Sequence, residues 1–267
     1  MKKVLYALSF FVASYTLYSC YSNPVTGRRT INLVDETSMR QMASTEYRSF
    51  LSTNRPVSGT RDAEMVQRVG SRIANAVNAY LASKGQSSLV SGYQWEFNLV
   101  NSNQANAWCM PGGKVAVYTG IMPIAQNEAG VAVIMGHEIA HAIAQHSNER
   151  MSQQMAAQGI GEALNVAMST KSSATQQVFG SLFGVGAQVK LLQYGRNQES
   201  EADQMGLIFM AMAGYNPNEA INFWQRMSAQ ASGSKPPEFL STHPSDARRI
   251  SQIKGWIPSA MQHYKPQ

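Results

Sequence analysis

The chain has 267 residues, enough for one substantial core or two small ones, and its 44% apolar content excludes wholesale disorder. The formal charge is +6, of which Lys2 and Lys3 contribute two; the other basic residues are scattered without interleaved aromatics, so no nucleic-acid partner is expected. Cys20 and Cys109 are the only cysteines, so no disulfide scaffold is available, and a chain of this size does not need one.

Met1-Lys2-Lys3 is a short cationic start, and an apolar run follows from Val4 to Leu17. A bilayer-spanning helix needs about 20 apolar residues, so this run has the length and flank of a secretory signal instead. It ends in Leu17-Tyr18-Ser19-Cys20: an apolar residue, a small residue before the cut, then cysteine. That order resembles a bacterial lipobox, although Tyr18 is bulkier than usual at its position. Residues 1–19 are then a lipoprotein signal peptide, and Cys20 carries acyl chains that anchor the new amino terminus in a membrane. A plain signal peptide with an incidental cysteine, or an uncleaved anchor, are the alternatives. Tyr21 follows, with no acidic residue, which favours the outer membrane, facing the periplasm, in a Gram-negative cell.

Residues 20–34 read as an extended lipidated tether with turn signals at Asn23-Pro24 and Thr26-Gly27. Residues 35–267 read as one catalytic domain. Asp35-Glu36 opens a helix to about Phe50. Between Arg61 and Lys84, Met65, Val69, Ile73, Val77 and Leu81 recur at four-residue spacing, which predicts an amphipathic helix. Tyr93 to Val100 alternates apolar and polar residues, and Val115 to Tyr118 is a second short strand beyond Pro111-Gly112-Gly113. From Ala129 onward only helices and loops are expected. Few strands ahead of many helices predict an α+β, mostly helical domain with a small β-sheet.

Residues 128–146 read EAGVAVIMGHEIAHAIAQH, with no charge between Glu128 and Glu138. A helix that is apolar nearly all round is buried. Four residues advance a helix by about 400°, so His137 and His141 share one face and can hold one Zn²⁺. Glu138 is displaced by about 100°, where it reaches a water beside the metal and not the metal itself. Catalytic zinc needs a third protein ligand. His146 lies nine residues from His137, on the opposite face of a continued helix. The better candidate is Glu199 in Asn197-Gln198-Glu199-Ser200-Glu201-Ala202-Asp203, with Asp203 one turn on to accept the distal N–H of a ligating histidine. Glu201 points away, as a surface or salt-bridging carboxylate or else a ligand. His243, in Leu240-Ser241-Thr242-His243-Pro244, lies on a loop before a last helix. It can cap the zinc at rest, hydrogen-bond the oxyanion during turnover, or simply be exposed.

HEIAH, the later ESEAD helix and STHPSDARR together resemble the HtpX/CAAX-prenyl-protease family of zinc metallopeptidases. The likeness is greatest to its bacterial lipoprotein branch and to the mitochondrial Oma-type proteases, and it extends to CYSNPVTGRR and NAWCMPGGKVAVYTG. It implies a gluzincin-like domain with one Zn²⁺ per chain, Glu199 as third ligand, Asp203 behind it, and His243 as a switchable ligand near the metal. It also implies that Arg248 is a basic residue near the site. Pro111 to Tyr118, with Gly112, Gly113, Lys114, Val115, Ala116 and Val117, would be an edge strand that binds substrate backbone by β-augmentation; a plain core strand is the alternative. The transmembrane helices of other branches have no counterpart here, so prenylated substrates are not expected.

The function implied is a metalloendopeptidase, Glu138 acting as general base, that cleaves unfolded or misassembled proteins in the cell envelope. The rival is an outer-membrane assembly factor with a latent zinc site, in contact with the outer-membrane assembly machinery. Residues 159–192, rich in Gly, Ala and Ser, read as a helical lid or as simple core packing.

Overall fold

A computed structural model describes residues 20–157, 176–178, 195–231, 237–243 and 247–266. The expected signal peptide and nearly all of the expected lid, 159–192, lie outside these residues.

Asp35 caps helix α1 (Glu36–Thr53), its side chain accepting from Ser38 N; Thr60 caps α2 (Arg61–Ser83) in the same way through Ala63 N. Such caps satisfy backbone donors that the first turn leaves unpaired. Both helices match the predicted spans to within a few residues. The strand predicted at Tyr93–Val100 narrows to β3 (Glu96–Val100), and the second becomes β5 (Lys114–Tyr118). A strand not anticipated, β4 (Ala107–Met110), lies between them in sequence.

The sheet order is β3-β5-β4, with β5 parallel to β3 and antiparallel to β4. Residues 114–118 therefore form the central strand, and the expectation that Gly112 to Val117 offers a free edge is overturned. All five residues of β5 are buried, and both its backbone edges are engaged. Gly112 and Gly113, at φ 85° and 82°, make the turn from β4, and a side chain at Gly113 would collide with the Trp95 ring. β3 and β4 are the outer strands of this sheet; Pro56 and Val57 bridge the outer side of β3, and among the described residues no strand pairs with the outer side of β4.

The stretch expected as an extended tether is a hairpin docked on the body. β1 (Cys20–Ser22) pairs antiparallel with β2 (Arg29–Ile31). Asn23 Oδ1 accepts from the N–H groups of Val25 and Thr26, and Gly27 takes φ 72°, which closes the turn. Tyr21 Oη donates to Ile143 O at 2.5 Å.

Helix α3 (Glu128–Ile143) runs through the centre of the main core, with every residue from Gly130 to Ile143 buried. It packs on α5 (Arg196–Met212), on α2 and on β4. The α3–α5 approach depends on two glycines. A methyl added at Gly206 would lie 2.9 Å from His137 N, and one at Gly136 would lie 3.0 Å from Gly206 O. This contact brings Glu199 to the His137 face of α3. Helices α4 (His146–Ala157), α6 (Glu219–Ala231) and α7 (Ala247–Met261) complete the body. Among the described residues, nothing beyond Ala129 is a strand, and no helix is long and apolar enough to cross a membrane.

Candidate metal centre

His137 and His141 stand one turn apart on α3, and their Nε2 atoms approach to 3.0 Å. Glu199, in the first turn of α5, lies 3.5 Å from His137 Nε2 through one carboxylate oxygen and 3.4 Å from His141 Nε2 through the other. His243 follows the short helix Phe239–Thr242, and its N–H bonds to Phe239 O. Its Nδ1 is 3.1 Å from His137 Nε2 and 3.0 Å from Glu199 Oε1. One ligand atom from each of these four buried residues falls within 4.8 Å of all the others.

The donor set fits zinc. Ligand atoms on a tetrahedral ion at about 2.0–2.1 Å are about 3.3 Å from one another, close to the spacing found here. Three imidazole nitrogens and a carboxylate, all buried, converge on one point, an arrangement that a cation explains better than hydrogen bonding does. Glu199 Oε2 is buried and accepts no hydrogen bond, although Arg249 Nη1 is 2.8 Å away. Burial holds His141 well below the ordinary histidine pKa, which leaves it neutral, the form that ligates. Burial also opposes a charge on His137, but the Asp203 and Glu199 carboxylates push its pKa up to about 9. The same two carboxylates would favour a cation at the cluster.

Glu138 stands outside this cluster. It is buried, Oε1 accepts no hydrogen bond, and His243 Nε2 is 3.3 Å from it. Burial raises its pKa, with His243 and His137 pulling the other way. A carboxylate with a free oxygen beside the ligand cluster can take a proton from a water there.

Asp203 Oδ1 is 2.9 Å from His137 Nδ1, as the spacing predicts. Its other partner corrects an expectation: Arg248 is exposed, and the arginine at the site is Arg249. One helical step, about 100°, turns the side chain from solvent to interior. Arg249 forks onto both Asp203 oxygens at 2.8 Å and stacks 3.5 Å over the Trp224 ring. Burial works against ionisation of Asp203, but Arg249 and His137 hold its carboxyl below the usual range.

His146 and Glu201 are both outside the ligand cluster, as expected, but their settings differ in detail. α3 ends at Ile143 and Gln145 takes φ 55°, so His146 does not continue the helix and folds back, fully buried. It is not among the four converging residues, but its Nδ1 meets His141 Nδ1 at 2.8 Å. Glu201 is a salt-bridging carboxylate, buried and not on the surface, with Arg28 Nε 2.5 Å away.

Residues 61–257, most of the chain, match the model of peptidase family M48. The chain belongs to peptidase family M48. The chain is 33% identical over 238 residues to mitochondrial metalloendopeptidase OMA1 of Schizosaccharomyces pombe, covering 89% of this chain and 66% of that protein. It is 34% identical over 194 residues to OMA1 of Saccharomyces cerevisiae, covering 70% and 54%. It is 31% identical over 183 residues to the beta-barrel assembly-enhancing protease of Yersinia pestis, covering 64% and 37%. The chain thus spans between about a third and two thirds of the length of these relatives. The M48 assignment runs from the start of α2 into α7, ending at residue 257, and includes every residue of the metal cluster.

Proposed function

We propose that the chain is a zinc-dependent metalloendopeptidase of the bacterial cell envelope that cleaves unfolded or misassembled proteins. The observation that carries this is the convergence of His137, His141 and Glu199 with Glu138 beside them, buried and with an unbonded oxygen. His137, His141 and Glu199 would hold one Zn²⁺. Zinc supplies Lewis acidity, polarising a carbonyl and lowering the pKa of a water toward about 7. Glu138 would accept a proton from a water at the cluster and deliver it to the departing amine. Asp203 fixes His137 with Nε2 turned inward, and Arg249 fixes Asp203.

Substrate backbone is assigned to β4. This strand packs on the metal helix, and no strand pairs with its outer side among the described residues. An extended peptide added there would run beside the cluster, and main-chain hydrogen bonding suits clients of varied sequence.

The envelope setting rests on the Leu17 to Cys20 lipobox, which would make Cys20 the lipid anchor, and on likeness to the bacterial relative. The lipoprotein branch is the finer family assignment that goes with it. A second reading, an assembly factor with a latent zinc site, is favoured by one observation: His243 Nδ1 occupies the fourth place among the ligand atoms.

Purified protein should contain about one zinc per chain and cleave casein, and Glu138→Gln should lower the rate by about 10²–10⁴ with zinc unchanged. A wild type that cleaves no unfolded protein, with Glu138→Gln still supporting envelope integrity in cells, would decide for the assembly factor.

A further inference from the structure

We propose that the N-terminal hairpin is part of the metal centre. Arg28 and Thr26 hold Glu201, Glu201 holds His146, and His146 holds the distal nitrogen of His141, so the hairpin positions a metal ligand. The proposal rests on the reading of His141 as a zinc ligand given above.

The hydrogen-bond directions are consistent along the whole line. His141 presents Nε2 to the cluster, which leaves the proton on Nδ1. That N–H donates to His146 Nδ1 at 2.8 Å, which places the His146 proton on Nε2. Nε2 in turn lies 3.1 Å from Glu201 Oε2, an acceptor. The Glu201 carboxylate is then secured from the hairpin: Arg28 Nε donates to Oε2 at 2.5 Å, and Thr26 Oγ1 donates to Oε1. The rest of the Arg28 guanidinium forks onto Glu149, with both Nη atoms at 2.8 Å. Glu149 also accepts from Gln198 Nε2 at 2.6 Å, next to Glu199 in the chain.

Two lines of support therefore converge on the ligands from opposite sides of α5. Asp203 backs His137 and is gripped by Arg249; Glu201, two residues earlier, backs His141 through His146 and is gripped by Arg28. A ligand histidine needs its outer nitrogen held to fix ring orientation and tautomer. For His137 that support comes from the catalytic body, whereas for His141 it is completed by a segment some 110 residues earlier in the chain. The fold-back at Gln145, where φ is 55°, is what puts His146 in line.

None of these residues touches the ligand cluster with a ligand atom of its own; they are positioning residues. The test uses the full-length protein with Arg28→Ala, Arg28→Lys, Glu201→Gln, His146→Ala and His146→Asn. Zinc dissociation constants come from competition with a chromogenic chelator, and Co²⁺-substituted samples give visible absorption spectra. His146→Ala and Glu201→Gln should each weaken zinc by about 10- to 100-fold, and His146→Ala should shift the cobalt bands. His146→Asn, whose Oδ1 can take the place of Nδ1, should recover much of that affinity. Arg28→Ala should weaken zinc, Arg28→Lys should weaken it less, and Arg28→Ala should add little in a Glu201→Gln background. Zinc affinities of His146→Ala and Glu201→Gln within about twofold of wild type, with unchanged cobalt spectra, would overturn the proposal. So would a lowered melting temperature in variants whose folded fraction binds zinc as wild type does. A wild type that binds no zinc overturns instead the metal reading beneath it.

Discussion

His243 Nε2 lies 3.3 Å from Glu138 Oε1 while His243 Nδ1 lies 3.0 Å from Glu199 Oε1. One imidazole thus bridges the proposed general base and the proposed third ligand. A ring so placed occupies the space that a water and a scissile carbonyl would need, so the arrangement is a closed one. His243→Ala should open it and speed casein cleavage by about three- to tenfold, as expected when a minor competent state becomes the dominant one. Zinc affinity should fall at the same time. A loss of cleavage by about 10² or more would instead assign His243 to the oxyanion.

The α3–α5 contact sets a second expectation. A methyl at Gly206 would lie 2.9 Å from His137 N, and backbone cannot yield as a flexible side chain does. Gly206→Ala should destabilise the fold by about 1–3 kcal/mol, measured by urea denaturation, and should lower zinc affinity because Glu199 moves with its helix. Unchanged stability would show that the two helices can slide apart without cost.

Arg248 and Arg249 are adjacent, and the structure separates them sharply. Arg248→Ala, at an exposed position, should change stability by less than about 0.5 kcal/mol. Arg249→Ala strands Asp203 in the interior and should cost about 3–5 kcal/mol, read from the same urea curves. Equal effects from the two would place the site arginine wrongly.

Glu36 provides a pH-dependent check away from the metal. Burial pushes its carboxyl from 4.5 to about 7, against the pull of Arg40, and its Oε1 accepts no hydrogen bond. The folded state then holds the proton more tightly than the unfolded state. That contribution to stability is fully present below about pH 4.5 and is lost as pH rises through about 7. Position at the first turn of α1 favours the anion and trims the effect. Glu36→Gln should therefore be more stable than wild type by about 1–2 kcal/mol at pH 8, and no more stable at pH 4, in thermal or urea melts. A difference independent of pH would mean the carboxyl is not held protonated by the fold.

The parts of the site that were legible in the sequence are those fixed by helical periodicity within one element. His137, Glu138 and His141 on α3, and Glu199 with Asp203 on α5, share or avoid faces by arithmetic alone, and the structure brings them together as expected. What was not legible depends on where elements end or how they meet. His146 was extrapolated along a helix that stops at Ile143, and nothing in Ala144-Gln145-His146 announces a left-handed glutamine. Arg249 required the rotational phase of α7, which one residue inverts. The central place of β5 did leave a trace, since Val115-Ala116-Val117-Tyr118 is a continuous apolar run of the kind found in strands covered on both faces. β4 was too short and mixed to announce itself, and the hairpin's docking follows from side chains more than 100 residues away in sequence.

A free run of roughly 15 residues between anchor and body would let a site wander up to about 50 Å from its point of attachment. The hairpin removes that slack. Cys20 is already paired with Ile31, and the next residue, Tyr21, is bonded to the end of the metal helix. An acyl group on Cys20 would therefore hold the body close to the lipid, with little leash between them. Clients would have to arrive at the bilayer surface to be cut, and proximity to it, more than the sequence around the scissile bond, would decide what the enzyme encounters.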